Sequence, residues 1–268
     1  MSEESLASIA QTGAVAEVAI DNPPANALTN ELYARLQTLT SELDRDDTVR
    51  AVVFVSAHPT IFVSGADIGA MARYDFSREA IERKVTLVHQ TFLGIQRLSK
   101  PTLASIEGHA LGGGCELALS LDMRFMSRGK ARIGLPEAGL GIVPGGGGTQ
   151  RLPRLVGRAR AAQMMMLGER LGADDAERCG LVNAACDDAA ATRAAAHEMA
   201  RRLSEMPRSS LRLIKRCLND GYDHDLVRGL EVERTAAIEA LLQPEAREGI
   251  AAFLERRPAR FHGAEPAA

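Results

Sequence analysis

Apolar and polar positions follow two rhythms along this chain, and the change between them divides it. In the first half, short apolar runs alternate with amphipathic stretches. Residues 15–20 read as a strand, followed by a turn at Asn22-Pro23-Pro24. Thr29 is placed to cap an amphipathic helix running to about Leu43. Residues 50–56, with the core AVVFVS, form a continuous apolar run suited to a strand buried on both faces. Helical periodicity spans residues 77–98 and stops at Lys100-Pro101; residues 102–106 restart a strand. The run Gly112 to Gly114 leads into an apolar helix over residues 116–121, and residues 123–127 are strand-like again.

From Thr149 onward nearly everything has helical periodicity, rich in Ala, Leu, Arg and Glu. Breaks are expected near Gly157, Gly168 to Gly172, Gly180, Pro207, Gly221 and Pro244, and the tail after Phe261 reads as disordered. No repeat of constant period is visible. The fold class is therefore α/β, with a core over residues 1–195 and a helical C-terminal part over residues 196–268. That part carries Leu211, Leu213, Ile214, Leu218, Leu226, Leu230, Leu241, Ile250 and Phe253. This is more apolar helix than one core of this size needs for cover, so part of it is expected to seal against neighbouring copies.

Composition narrows the function classes. The 268 residues include 32 Lys+Arg and 35 Asp+Glu, a net charge of −3, which argues against nucleic-acid binding by bulk charge. Cys115, Cys179, Cys186 and Cys217 show no CxxC spacing and read as reduced thiols. The acidic start MSEESLASIA resembles neither a signal peptide nor a transit peptide, and no apolar stretch approaches the roughly 18 residues that span a bilayer. A cytoplasmic protein that engages no membrane is the expectation.

Common catalytic signatures are missing. Gly129-Lys130 is followed by Ala131, with Arg124 where a phosphate loop needs its first glycine. No GxGxxG follows a strand, so a dinucleotide cofactor has no support. His197-Glu198 is not completed to HExxH, and six scattered histidines give no metal site. Ser64-Gly65 has Phe62 where a nucleophile elbow needs glycine.

What remains is glycine-rich loops, backbone donors and carboxylates. A glycine run before a helix exposes free N–H groups at the helix's positive end, and without Cβ atoms a carbonyl can approach closely. A second donor from Ser64-Gly65-Ala66 would complete an oxyanion hole. Glu116 falls in the first turn of that helix and Glu137 in a separate loop after Pro136. Singly, each has an ordinary reading as a helix-dipole partner or a turn residue. Converging on one pocket, they would push each other's pKa apart and divide acid and base work.

Three segments carry a stronger signal together: IFVSGADI (61–68), KPTLASIEGHALGGGCELALSLD (100–122) and GLPEAGLGIVPGGGGTQRLPRLVG (134–157). In this order they resemble the enoyl-CoA hydratase/isomerase (crotonase) family. The resemblance runs from NPPANAL (22–28) to EGIAAFLERRPARF (248–261) and covers nearly the whole chain. It implies a spiral of ββα units with a helical C-terminal trimerisation region. It places the oxyanion-hole donors at Ala66 and Gly113, and thioester binding at Ala25, Ala66, Asp67, Ile68, Gly69 and Gly113. The substrate is an acyl-CoA thioester, so coenzyme A enters with the substrate and no separate cofactor or metal is implied. Hydratases of the family flank a water with two glutamates, which map to Glu116 and Glu137; ionised Glu116 would be the base and protonated Glu137 the acid. The implied reaction is syn addition of water to a trans-2-enoyl-CoA, in a trimer or dimer of trimers. The alternatives are a Δ3,Δ2-enoyl-CoA isomerase or another reaction of the family, and a non-enzymatic RNA-binding relative, which the net charge disfavours. The basic stretch Arg201, Arg202, Arg208, Arg212, Lys215 and Arg216 reads as a solvated face or an interface.

Overall fold

The structure, a computed structural model, describes residues 6–261. The tail after Phe261 and the first five residues lie outside the described part. The chain opens with an antiparallel hairpin, β1 (Ala7–Thr12) and β2 (Val15–Ile20). The short β3 (Ala27–Leu28) precedes α1 (Asn30–Arg45), which Thr29 caps by accepting the Leu32 N–H. Then come β4 (Ala51–Ser56), β5 (Ile61–Val63), β6 (Gly65–Ala66), α2 (Ile68–Met71) and α3 (Arg78–Gln96). They are followed by β7 (Thr102–Ile106), β8 (His109–Leu111), α4 (Gly113–Leu119), β9 (Met123–Ser127) and β10 (Ile133–Gly134). A 3₁₀ turn at Glu137–Leu140 leads to α5 (Gly148–Val156), α6 (Arg158–Leu167), β11 (Arg170–Leu171), α7 (Ala173–Arg178) and β12 (Ala184–Cys186). Four helices finish the described chain: α8 (Ala189–Ser204), α9 (Arg208–Asp220), α10 (Leu226–Leu241) and α11 (Pro244–Leu254).

A six-stranded sheet runs β1-β2-β4-β7-β9-β12, parallel except for the opening hairpin. A four-stranded sheet runs β11-β10-β8-β5, and β3 pairs with β6. On each pass the chain lays one strand in the large sheet and the next in the small sheet, as β4 then β5, β7 then β8, and β9 then β10. Helices close each pass. This is the spiral of ββα units that the resemblance implied.

Every residue of β4 is buried, and the reason is visible on its two faces. Val52 and Phe54 enter the main core with Leu32, Leu36, Phe62 and Phe92; Val53 and Val55 pack with Leu103, Phe125, Ala196 and Ala200 of α8 on the other side. The division expected near residue 195 therefore falls inside α8, a helix that covers the large sheet. Residues 184–186, expected to be helical, instead pair in parallel with β9 and end the sheet. Three small residues show no period to read. The expected breaks fall at real boundaries: Gly157 caps both α5 and α6, Pro207 caps α9, and Pro244 opens α11.

Burial changes character after α8. Ala236 is the buried residue of α10 and Ala252 that of α11. Leu218, Leu226, Leu241 and Ile250 stand exposed, and Phe253 is 82% exposed. Among the described residues no helix is long and apolar enough to cross a membrane.

Candidate active site

The site forms where the first turn of α4 meets β6. Gly112 caps α4 with φ +53° and donates its N–H to Gly134 O at 2.9 Å. The helix thus starts at Gly113, three residues before the periodicity alone suggests, because glycines supply its first turn. At the N1 position the Gly113 N–H has no carbonyl four residues behind it within the helix and is one of its free donors. Across the gap, Gly65 has φ +104°, and a Cβ there would lie 2.9 Å from Leu111 O and 3.3 Å from Gly113 N. Only glycine lets β6 come this close. An ideal Cβ on Gly113 would sit 3.7 Å from Ala66 N, so the two backbone donors expected from the sequence stand side by side. At its other end α4 is held by buried Arg124, which donates from Nη1 to Ala118 O at 3.1 Å and Leu121 O at 2.7 Å.

Glu116 is 3% exposed. Its Oε1 accepts two backbone N–H groups, Gly146 at 2.7 Å and Gly148 at 2.8 Å, both from the four-glycine loop. Burial pushes its carboxyl above the usual carboxylate range, against the pull of those two donors, of Arg151 and of His89. Tyr33 feels the Glu116 charge, packs edge-on against Phe92 at 5.9 Å, and has its phenol pushed up chiefly by burial.

Glu137 opens the 3₁₀ turn after Pro136 and is 9% exposed. Its Oε1 faces Gly112, where a Cβ would come within 3.0 Å, and its buried Oε2 has no hydrogen-bond partner. Burial is the main cause that lifts its carboxyl to about 7; its own backbone N–H opposes, and the Glu116 charge adds to the rise. The two carboxyl groups thus lie in each other's field, one richly donated to and one left open.

The other expected residues are distributed unevenly. Ala25 lies half-buried in the loop before β3, and β3 pairs with β6, Ala27 against Gly65 and Leu28 against Ala66. The NPPANAL segment therefore flanks the two donors. Asp67 caps α2 by accepting the Ala70 N–H at 2.9 Å, while Ile68 and Gly69 are exposed on that short helix. Cys115 is fully buried beside Glu116, its thiol pushed up by burial and by both carboxylates, which leaves it inert. Of the basic stretch, Arg201 pairs with Glu198 and Glu205, Arg208 with Asp47, Arg212 and Arg216 with Glu239, and Lys215 with Asp122.

Two contributors were not singled out by the sequence. Asn26 is buried with φ +50°, a conformation Asn tolerates better than most residues. It donates to Ser56 Oγ at 2.7 Å and to Ile20 O and Phe62 O, tying the loop to three strands. Arg151, in the first turn of α5, reaches back to the four-glycine loop. Its position three residues after a four-glycine run was the available signal.

Residues 10–264 match the enoyl-CoA hydratase/isomerase family. The chain is 37% identical over 248 residues to the short-chain-enoyl-CoA hydratase of Clostridium acetobutylicum, covering 91% of this chain and 93% of that one. It is 36% identical over 243 residues to the crotonyl-CoA hydratase of Syntrophomonas wolfei, covering 90% and 92%. The crystal structure of an enoyl-CoA hydratase from Bacillus anthracis superposes with a TM-score of 0.90 at 32% identity, covering 96% of this chain and 99% of that one.

Proposed function

The chain belongs to the enoyl-CoA hydratase/isomerase family, and from that premise we propose that it adds water to a trans-2-enoyl-CoA to give the 3-hydroxyacyl-CoA. The observation that carries this reading is the pairing of Glu116 and Glu137 beside the Gly113 and Ala66 donors. An isomerase needs one carboxylate to carry a proton from C2 to C4. Two buried carboxyl groups in each other's field, held in unlike surroundings, suit a water and a proton delivered separately.

In this reading the thioester oxygen accepts the N–H groups of Ala66 and Gly113. The water lies between the glutamates. Glu116, already accepting two N–H donors, is the group that holds a negative charge more readily; it takes a proton from the water as oxygen bonds to C3. The C2–C3 π electrons move toward the carbonyl, and the resulting enolate oxygen is stabilised by the two donors, each worth about 3 kcal/mol. Glu137, whose carboxyl is lifted to about 7, supplies the proton to C2. No separate cofactor takes part, because coenzyme A arrives on the substrate. Ala25, Asp67, Ile68 and Gly69 border the thioester's path as backbone around β3, β6 and α2.

The exposed apolar faces of α9, α10 and α11 support a homo-oligomer, a trimer or a dimer of trimers, in which these faces meet. Light scattering that gives an active monomer would remove this part of the reading. The reaction itself is tested by steady-state assay over trans-2-enoyl-CoA substrates of increasing chain length, following loss of the conjugated thioester absorbance and identifying the product by mass. Hydration at one or more lengths is expected. Conversion of trans-3-enoyl-CoA with no hydration at any length would replace the hydratase reading by the isomerase one.

A further inference from the structure

Ordering the four-glycine loop is costly, since glycine gives up more conformational freedom on ordering than any other residue. Yet Glu116 depends on two N–H groups from this loop pointing the same way. Arg151 supplies a constraint. Its Nη1 donates to Gly146 O at 2.9 Å and so fixes the 146–147 peptide that lies between the two donors, while Gly147 O is held by the backbone N–H groups of Gln150 at 3.0 Å and Arg151 at 2.8 Å. In a planar trans peptide the N–H points opposite to the C=O. Tying Gly147 O toward α5 therefore turns the Gly148 N–H toward Glu116.

The guanidinium is itself fixed. Its Nε donates to Gln96 Oε1 at 2.9 Å, and Gln96 Nε2 donates in turn to Asn219 Oδ1 at 3.0 Å on α9. Arg151 is half-buried, and among the described residues no carboxylate lies within 4 Å of its guanidinium. A charge placed half out of water without a direct partner has a cost that a neutral donor to one carbonyl would avoid. The carboxylate in its field is Glu116.

We propose that Arg151 is a positioning residue for the reaction proposed above. It holds the four-glycine loop in the conformation that presents two N–H groups to Glu116, and it supplies the positive charge against which that carboxylate stays ionised. The inference rests on the hydratase reading for its effect on rate, but not for its effect on the carboxylate. Other groups facing Glu116 are His89 on α3, Tyr33 on α1 and Glu137 in the 3₁₀ turn. His89 is the only other one of them able to carry positive charge, so the test is made in a His89→Gln background.

The experiment titrates the Glu116 carboxyl carbon by ¹³C NMR, assigned by its loss in Glu116→Gln, alongside the pH profile of kcat/KM. Arg151→Gln is expected to move the Glu116 midpoint, and with it the acid limb of the profile, to higher pH. It should also lower kcat roughly ten- to a hundredfold through the slackened loop. Arg151→Lys keeps the charge and should leave the midpoint near the parent value while kcat still falls. A folded Arg151→Gln protein with an unmoved midpoint overturns the proposal. Where Arg151→Gln does not fold, Gln96→Glu decides. It sets a competing carboxylate against the guanidinium and should raise the Glu116 midpoint, and an unmoved midpoint there overturns the proposal equally. Absence of any hydration in the parent protein would refute the hydratase reading alone, since the carboxyl titration stands without turnover.

Discussion

The surroundings of Glu116 and of Glu137 treat the same chemical group in opposite ways. Glu116 projects from a helix clamped at its far end by Arg124, into a loop that turns two N–H groups onto one oxygen. Glu137 stands at the start of a 3₁₀ turn, with a buried oxygen that meets no partner. Both lose hydration, but only Glu116 receives strong donors in exchange. A buried carboxyl with donors aimed at it is built to carry charge; one without them is built to keep its proton. The difference arises in the backbone around the two residues, since the residues are identical.

The contrast is broken most severely at the donated carboxylate. Glu116→Gln is expected to lower kcat about 10²- to 10⁴-fold with folding intact, measured by hydration rate and circular dichroism. Retention of the parent rate would remove Glu116 from the chemistry. Next comes the cradle. A Cβ on Gly146 would lie 2.5 Å from Glu116 Oε2 and 2.8 Å from Phe92 Cε2, whereas exposed Gly145 meets only Val143 O at 3.9 Å. Gly146→Ala should therefore cost roughly a hundredfold in kcat, and Gly145→Ala no more than about twofold. Equal effects at the two positions would show that the loop acts by general flexibility.

The smallest effect concerns stability on the other side of the contrast. A carboxyl raised from 4.5 to about 7 in the fold binds its proton more tightly than in the unfolded chain. Its stabilisation is full below pH 4.5, falls as pH climbs through about 7, and is gone above that. Glu137→Gln, which cannot ionise, should therefore match the parent at low pH and exceed it at pH above about 8, by at most about 3 kcal/mol. Denaturant melts at the two pH values measure this. A variant no more stable than the parent at the higher pH would mean that Glu137 ionises without cost.

Long periodic segments were legible in the sequence because their signals are local. Thr29 and Ser77 cap the helices they were placed to start or precede, and residues 102–106 and 123–127 are strands at the expected bounds. The three-residue strands β5, β8 and β12 were not legible, since their pairing comes from the spiral and not from their own pattern. Among site residues, Glu116 and Glu137 stood out by their place next to glycines and Pro136, the resemblance singled out Gly113 and Ala66, and the structure gathers the four. The roles of Arg151 and Asn26 were not legible because partners that fix their side chains, Gln96 for Arg151 and Ser56 and Phe62 for Asn26, are far away in sequence and meet them only in the fold. Asp67 has a local task, the cap of α2, that nothing in its motif separates from a binding role.

The division of labour between the two carboxyl groups is tested most directly by the pH profile of kcat/KM for trans-2-enoyl-CoA hydration, in the parent protein and in Glu137→Gln. The profile reports groups in the free enzyme. The parent should lose activity as pH rises through about 7, where Glu137 gives up its proton. The residual activity of Glu137→Gln should lack that alkaline limb and keep the acid one. An alkaline limb near 7 that survives in Glu137→Gln would contradict the assignment of Glu137 as the acid.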